Sequence, residues 1–231
     1  MTLKKAKEQG HPQPIVTGAV PFDHYKKASL SIPEIVQLAP SYQKEERGGM
    51  VSAPAAVYEV TPIPSPEQYK QGVAQGIERI QNGELDKIVL SRSLKLSSAE
   101  PVNIPQLLHN LAYKNKHGYT FATDITSGEE KATLIGASPE LLVSREGMVV
   151  IANPLAGSRP RSKDPIEDHR RAEELLSSPK DLHEHAVVVE AVATALRPYL
   201  KNMEVPEKPS LVTTETMWHL STVVKLSLIH I

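Results

Sequence analysis

The segment Ser177–Leu196 (SSPKDLHEHAVVVEAVATAL) places acidic and imidazole side chains at the start of an otherwise apolar helix. Ser178, followed three residues later by Asp181, fits a capping box, in which a serine and an acid bind the first free amides of a helix. Capping is the simpler interpretation of Asp181, and composition alone favours it over a metal ligand. Glu184 lies one turn beyond the cap, so the oxygens of both carboxylates can address a single point.

If a cation binds at that point, its identity follows from the ligands. Carboxylate oxygens without soft partners favour Mg²⁺ over zinc. His183 and His185 are two residues apart and diverge around the helix, so this HEH sequence is not the HExxH zinc motif. A metal-dependent α+β hydrolase, with Asp181 and Glu184 activating water at Mg²⁺, is one class of enzyme that such a pair suits.

Two other side chains have the chemistry for proton transfer. Lys87 lies in the β-rich segment Leu85–Leu96, on the face opposite Ile88 and Leu90. Most strand lysines point into solvent, but a lysine in a desolvated pocket loses its proton more readily and can act as a base. Glu140 follows a Gly-Ala-Ser-Pro turn and precedes an apolar strand. It is either a solvated hairpin glutamate or a carboxyl group that apolar neighbours keep protonated, so that it can act as an acid.

A glycine turn follows at residues 154–161, with the sequence PLAGSRPR. It contains Gly157, the hydroxyl of Ser158 and two arginines. Backbone amides, a hydroxyl and guanidinium groups together suit the binding of a carboxylate.

The helices and strands that must position these residues are predicted from hydrophobic periodicity and from the positions of Gly, Pro and capping residues. Residues 1–64 are predicted to be loop-rich, with short strands at 14–22 and 55–63. Helices are predicted from Pro66 to the NGE sequence at 82–84, and at 104–116, 165–177 and 179–200. Strands are predicted at 85–96, 118–123, 131–137, 140–147, 148–157 and 210–224. Runs of strands followed by helices predict an α+β fold with antiparallel sheets.

Composition narrows the class of protein. A formal net charge of −1 gives no electrostatic case for nucleic acid or an anionic membrane. The absence of cysteine excludes disulfides, thiolate catalysis and Cys-ligated zinc. No apolar run approaches the roughly 20 residues that span a bilayer, and the lysines at the N-terminus precede no apolar signal core. We therefore expect a cytoplasmic protein with neither nucleic acid nor membrane as a partner.

Five motifs occur along the chain in a defined order: DKIVLSR, GASPELLV, PLAGSRPR, KDLHEHAVVV and MWHLST. Together they resemble the chorismate-utilising enzymes, which include isochorismate synthase, salicylate synthase, anthranilate synthase component I and aminodeoxychorismate synthase. The resemblance runs from residue 65 to Val224, with a looser likeness in TGAVPFD at residues 17–23. The motif sequences are most similar to those of the isochorismate synthases of catechol-siderophore pathways, which make 2,3-dihydroxybenzoate.

The resemblance implies the fold of that family and a role for each candidate residue. Lys87 matches the lysine that activates water, and Glu140 the acid that protonates the departing hydroxyl of chorismate. Glu184 matches a Mg²⁺ ligand, with Asp181 as its acidic neighbour. The substrate-binding matches are Gly157 and Ser158, which line the carboxylate of chorismate, and His219, near the departing oxygen.

The lysine also bears on the choice of reaction. Family members that use ammonia need no base for water, and many lack this lysine, so Lys87 favours isochorismate or salicylate formation. The similarity of the sequence PLAGSRPRS to the isochorismate synthases favours isochorismate as the product. The alternatives are a salicylate synthase, an ammonia-using synthase component, and a truncated relative acting as a binding or structural subunit.

The chain is shorter than whole members of this family. We expect residues 65–225 to be the central part of the catalytic domain and residues 226–231 to be an unmatched tail. A central fragment would lack further metal and substrate ligands, so we expect this chain alone to fold poorly and to be inactive. The full-length protein is expected to be a monomer.

Overall fold

The structure, a computed structural model, describes residues 3–11, 14–40, 57–115 and 118–228. Its helices are α1 (Leu3–Glu8), α2 (Pro66–Gln81), α3 (Ile104–Lys114), α4 (Pro165–Ser177) and α5 (Pro179–Leu196). Its strands are β1 (Thr17–Ala19), β2 (Ser29–Ser31), β3 (Glu59–Ile63), β4 (Ser93–Ser97), β5 (Tyr119–Asp124), β6 (Thr133–Ser138), β7 (Leu141–Glu146), β8 (Val149–Asn153), β9 (Leu155–Pro160), β10 (Leu200–Glu204), β11 (Ser210–Thr213), β12 (Met217–Ser221) and β13 (Val224–Leu228). These strands pair antiparallel, which confirms the predicted α+β class.

The chain divides into two compact units, residues 1–52 with 102–139, and residues 53–101 with 140–231. The first unit contains α1, α3, the β1–β2 pair and the β5–β6 hairpin, on which α3 packs. The second unit contains a four-stranded sheet in the order β10-β13-β8-β7, a three-stranded sheet in the order β11-β12-β9, and the β3–β4 pair. The division predicted at residue 64 falls inside this second unit, which also holds every candidate site residue.

The four-stranded sheet of the second unit carries an aliphatic core. Val150, Val224 and Leu226 are buried there, and α5 covers them with Val189 and Leu196. Residues 226–228, expected to belong to an unmatched tail, pair within this sheet as the end of β13. Residues 229–231 of that tail, and residues 55–56 of the strand predicted at 55–63, lie outside the described residues.

The helix starts follow their local signals. Ser65 caps α2 through a complete capping box with Gln68, and Ser178 caps α5 by accepting the amide of Asp181. The predicted end of the last helix at residue 200 was wrong, because α5 stops at Leu196 and a 3-10 turn at Arg197–Tyr199 leads into β10. Pro198 explains the stop, since its nitrogen has no hydrogen to continue the helical ladder.

The strand predicted at 85–96 was only partly correct. Residues 93–97 pair with β3, whereas residues 85–92 form an extended segment with no strand partner among the described residues. The predicted alternation of faces holds only in part. Ile88 and Leu90 lie against Gly76 of α2 and Val89 is exposed, but Lys87 lines the same cavity as Ile88 and Leu90 instead of the opposite face. Without a ladder to fix the backbone, the two-residue period of the side chains is not kept along the whole segment.

No helix within the described residues is long and apolar enough to cross a membrane.

Candidate functional site

Asp181 is buried at the first turn of α5, with 2% of its surface exposed. Its carboxylate accepts a hydrogen bond from Nη2 of Arg159 at 2.6 Å, and its backbone amide donates to Ser178 Oγ. Burial tends to raise the pKa of Asp181, but hydrogen bonds from Ser178 and Arg159 outweigh it and leave the pKa below its ordinary value. Ser178 therefore caps the helix as predicted, but the Asp181 carboxylate does not complete the predicted capping box, since the Ser178 amide donates to the Leu175 carbonyl and the carboxylate binds an arginine on β9.

Glu184 lies one turn further on and has different surroundings. Its Oε2 accepts from Lys180 Nζ at 2.7 Å, and its Oε1 accepts from Lys87 Nζ at 3.4 Å. Lys180 also donates to Asp181 Oδ1 at 3.2 Å, so one ammonium group contacts both carboxylates. The hydrogen bond from Lys180, assisted by the charges of both lysines, lowers the pKa of Glu184.

A cavity of about 480 Å³ opens beside Glu184, a volume suited to a small molecule. Its apolar lining comes from α2 and the extended segment. Its charged lining is Asp86 and Lys87 of the extended segment with Lys180 and Glu184 of α5, and His183 lies beside them. The complete lining is Tyr69, Val73, Gly76, Ile77, Ile80, Asp86, Lys87, Ile88, Leu90, Lys180, His183 and Glu184. Lys87 and Glu184, 97 residues apart in sequence, thus meet in one cavity.

Gly157 allows α5 to approach β9 closely. Its φ of +82° lies in the left-handed region, and a Cβ at this position would stand 3.2 Å from both Asp181 Cβ and Leu220 Cδ1. Glycine is required here both by conformation and by space. We use the term buried wall for Gly157, Arg159, Asp181 and Leu220.

The β9–β12 ladder brings Ser158 and His219 together. The two residues are paired in register, and Ser158 Oγ lies 2.8 Å from His219 Nδ1. Burial lowers the pKa of His219, and the nearby negative charge of Glu140 opposes this shift. Glu140 itself is exposed and accepts the backbone amide of Leu155, the first residue of β9, at 3.1 Å.

The turn predicted before Glu140 was wrong in part. Gly136, Ala137 and Ser138 belong to β6, so only Pro139 and Glu140 stand between β6 and β7. A glycine–serine sequence suggested a turn, but these residues continue an antiparallel pairing with β5. The position of Glu140 immediately before an apolar strand was correct.

The glycine turn predicted at 154–161 was wrong, because residues 155–160 form strand β9 and pair with β12. Its two arginines do bind carboxylates, as their chemistry predicted, but these belong to the protein. Arg159 binds Asp181, and Arg161 forms a two-oxygen contact with Asp168 of α4. Trp218 donates its indole hydrogen to the same carboxylate at 3.0 Å, and the Arg161 guanidinium stacks 4.5 Å above the indole ring. These contacts join α4 to the end of the β9–β12 ladder.

The candidate residues therefore form two groups. Lys87, Asp181 and Glu184 lie around the mouth of α5, with Lys180 between the two acids. Ser158 and His219 lie on β9 and β12, and Glu140, just before β7, is bonded to the start of β9. Neither these three residues nor Asp181 line the cavity formed by the described residues. Strand β9 connects the groups, since its residues from Leu155 to Arg159 contact members of both and span only about 13 Å at 3.3 Å per residue.

The acidic pair can be tested as a Mg²⁺ site. Among the described residues, no three His, Asp or Glu side chains are arranged to hold a metal. Asp181 and Glu184 do direct one oxygen each to a single positive centre, the Lys180 ammonium. Mg²⁺ often takes only one or two carboxylates from the protein and completes its shell with water and substrate. The pair fits such a partial site.

Sequence reasoning missed Lys180, and it did not identify the partners of Arg159 and His185. His185 is buried; it donates from Nδ1 to the Ala156 carbonyl and accepts from the Thr222 hydroxyl at Nε2. The divergence predicted for the two histidines is confirmed, since His183 lines the cavity while His185 is buried. A lysine immediately before an acid in a first helical turn is the one local signal that was available, because a cation opposes the helix dipole there.

Known proteins resemble this chain over nearly its whole length. It is 58% identical to isochorismate synthase DhbC of Bacillus subtilis, over 96% of this chain and 56% of that protein. It is 40% identical to the vibriobactin-specific isochorismate synthase of Vibrio cholerae, over 96% of this chain and 55% of that one. The chain thus spans about half the length of these curated relatives.

The similarity extends to three-dimensional structure and to a family as a whole. A crystal structure from Bacillus anthracis, assigned as a 2,3-dihydroxybenzoate-specific isochorismate synthase, matches with a TM-score of 0.87 and 56% identity, over 99% of this chain and 59% of that one. The family described as chorismate binding enzymes matches residues 7–230, including the residues expected to form an unmatched tail as far as residue 230. By this match the chain belongs to the chorismate-binding enzyme family.

Proposed function

We propose that this protein is an isochorismate synthase that isomerises chorismate for the synthesis of a 2,3-dihydroxybenzoate siderophore. In this reaction water adds at C2 of the ring and the hydroxyl group leaves C4. The observation that carries the proposal is the meeting of Lys87 and Glu184 at 3.4 Å in a cavity sized for a small molecule. The names and reactions of the relatives from Bacillus and Vibrio support the same activity.

Lys87 is the proposed base for the attacking water. Its side chain is 18% exposed and lines the cavity, so it is within reach of a bound ring and largely screened from bulk water. It donates to Glu184, and as a neutral amine it can keep this hydrogen bond while its lone pair accepts a proton from water. Anything else that engages the Glu184 carboxylate would change the negative charge that Lys87 faces, and this couples the proposed base to that carboxylate.

Glu140 is the proposed acid that protonates the departing C4 oxygen, with His219 nearby. The backbone amide of Leu155 holds the Glu140 carboxyl group at the start of β9. His219 is kept neutral by burial and is oriented by Ser158, so it can hydrogen-bond the same oxygen without adding charge. Gly157 and Ser158 would present backbone and hydroxyl donors to a carboxylate of chorismate.

Asp181 and Glu184 are the proposed ligands of Mg²⁺. When bound, this ion would neutralise and orient the C1 carboxylate of chorismate. Glu184 is the more available ligand, because Asp181 is buried and already bound by Arg159. We further propose a cytoplasmic protein that is monomeric at full length.

The test is an assay of chorismate conversion in the presence of Mg²⁺, with products separated by chromatography. It uses the purified 231-residue chain and the same chain extended by the remainder of DhbC, so that the expected inactivity of the short chain is measured separately. We expect isochorismate from the extended protein. Lys87→Gln should lower its turnover at least about 100-fold, the typical contribution of a positioned base. Lys163→Gln, which removes an exposed charge near α4, should leave turnover unchanged.

The alternative products discriminate between the competing activities. Pyruvate release would identify a salicylate synthase, and a requirement for ammonia would identify an anthranilate or aminodeoxychorismate synthase component. Failure of both proteins to convert chorismate, with folding intact by circular dichroism, would contradict the proposed enzyme and favour a binding or structural subunit.

A further inference from the structure

Lys180 occupies an unexpected position in α5. It is the second residue of the helix, where a positive charge opposes the helix dipole. Its pairing with Glu184 also runs from lysine to glutamate at i,i+4, the less favourable direction for helix stability. Helix stability therefore does not account for a lysine here.

The contacts of Lys180 supply a different explanation. Its ammonium group lies 3.2 Å from Asp181 Oδ1 and 2.7 Å from Glu184 Oε2. These are the two oxygens that a cation shared by the pair would need. The ammonium thus stands where a divalent ion would be held.

Charge strengthens the conflict between the two cations. The two carboxylates already face three cationic side chains, Lys180, Lys87 and Arg159, so the cluster carries an excess of one positive charge. A divalent ion added to this cluster would be repelled unless a cation leaves. Arg159 is tied to a buried acid and Lys87 comes from another segment, whereas the Lys180 side chain is 75% exposed and can rotate into water.

We propose that Lys180 is a tethered counter-ion that competes with a divalent cation for the Asp181–Glu184 pair and swings into solvent when the cation binds. This inference rests on the proposed role of that pair as metal ligands, but it concerns the free protein and needs no substrate. Lys180 thereby sets the affinity for the metal, keeping the acidic pair neutralised until metal is supplied.

The experiment is a Mn²⁺ titration of the 231-residue chain and of the extended protein used in the chorismate assay, followed by the loss of the free-ion electron paramagnetic resonance signal in the absence of chorismate. Lys180→Gln removes the competing charge and should tighten Mn²⁺ binding by roughly three- to tenfold. Lys180→Arg keeps the charge and should bind as weakly as the unsubstituted chain. Lys163→Gln, which removes an equal charge outside the cluster, is the matched control and should have no effect.

Three results would overturn the inference: equal affinity in Lys180→Gln and the unsubstituted chain, equal tightening in the Gln and Arg variants, or no Mn²⁺ binding by any variant. Thermal unfolding of each variant verifies the fold, and the exposure of Lys180 predicts little change. The outcome is separable from the proposed function. Turnover of chorismate with unchanged Mn²⁺ affinity would reject only this inference, whereas tightening without turnover would reject only the proposed reaction.

Discussion

Asp181 and Glu184 are one helical turn apart and yet lie in opposite kinds of surroundings. Asp181 is part of the buried wall, where Arg159 and the close approach of Gly157 enclose it. Glu184 faces the cavity, where two lysines hold it and one of them is largely exposed. On one side of the helix mouth an acid has a fixed structural partner, and on the other an acid has partners that can be exchanged.

This difference indicates which of the two acids contributes to the stability of the fold. A charge that is buried with one guanidinium partner is costly to remove, because its partner is then left without compensation. Removing a charge that faces a cavity costs little stability, because water can solvate the partner that remains. We therefore expect stability to depend on the buried wall and ligand binding to depend on the cavity.

The largest expected effect comes from shortening an apolar side chain of the buried wall. Leu220 is fully buried on β12, so Leu220→Ala should lower the free energy of unfolding by about 2–5 kcal/mol. Ile77 lines the cavity with half of its surface exposed, and Ile77→Ala should cost less than about 1 kcal/mol. Urea denaturation measures both. Equal losses of unfolding free energy in the two variants would contradict the idea that stability depends on the buried wall and not on the cavity.

The two acids provide the next comparison. Asp181→Ala leaves Arg159 without its partner and should cost about 2–3 kcal/mol of stability, below the full cost of a buried pair because Arg159 is one-third exposed. Glu184→Gln should change stability by less than about 1 kcal/mol, since Lys180 is largely exposed and the glutamine oxygen can still accept a hydrogen bond from Lys87. The measurement is again chemical denaturation. A larger loss for Glu184→Gln would reverse the assignment of structural and exchangeable acids.

Alanine substitution at two glycines should change the stability of the protein in opposite directions. Gly157→Ala forces a Cβ into the left-handed region and against Asp181, and should destabilise the protein by about 1–2 kcal/mol. Gly72 lies in α2 with nothing within 4 Å of an added Cβ, so Gly72→Ala should stabilise by about 0.4–1 kcal/mol. Thermal melts compare the two, and a gain in stability for Gly157→Ala would show that the wall is loosely packed.

The smallest expected effect is a pH dependence of the free energy of unfolding that arises from His219. Burial lowers the pKa of His219 below its ordinary value near 6.5, so the unfolded chain binds a proton there more readily than the folded chain. The free energy of unfolding should therefore fall as the pH drops through 6.5. His219→Gln should reduce this slope. His169→Gln on the exposed face of α4 is the control and should leave it unchanged.

The helices of the second unit were predictable because their signals are local. Ser65 and Ser178 precede prolines and apolar periodic segments, and both are observed as caps. The extended segment at 85–92 and the strand at 200–204 were harder, since a ladder depends on a partner elsewhere in the chain. Alternating residues record which face is buried, but they do not identify that partner.

The same limit applies to the site. Lys87 and Glu184 were selected through motifs, and their contact at 3.4 Å joins residues far apart in sequence. The pairing of Arg159 with Asp181 was not predicted, because an arginine suits a ligand carboxylate as well as an internal one. Chemistry specified the kind of partner, and only the packing of α5 on β9 specified which one.

Trp218, one residue before His219, is the only tryptophan of the chain; the Arg161 guanidinium lies over the face of its indole, and the Asp168 carboxylate accepts the indole hydrogen at the ring edge. Its fluorescence is therefore a single-position optical reporter built into the protein. Any event that parts β12 from β9 should change the colour and intensity of that emission, which allows the integrity of the His219 region to be followed in real time without label or substrate.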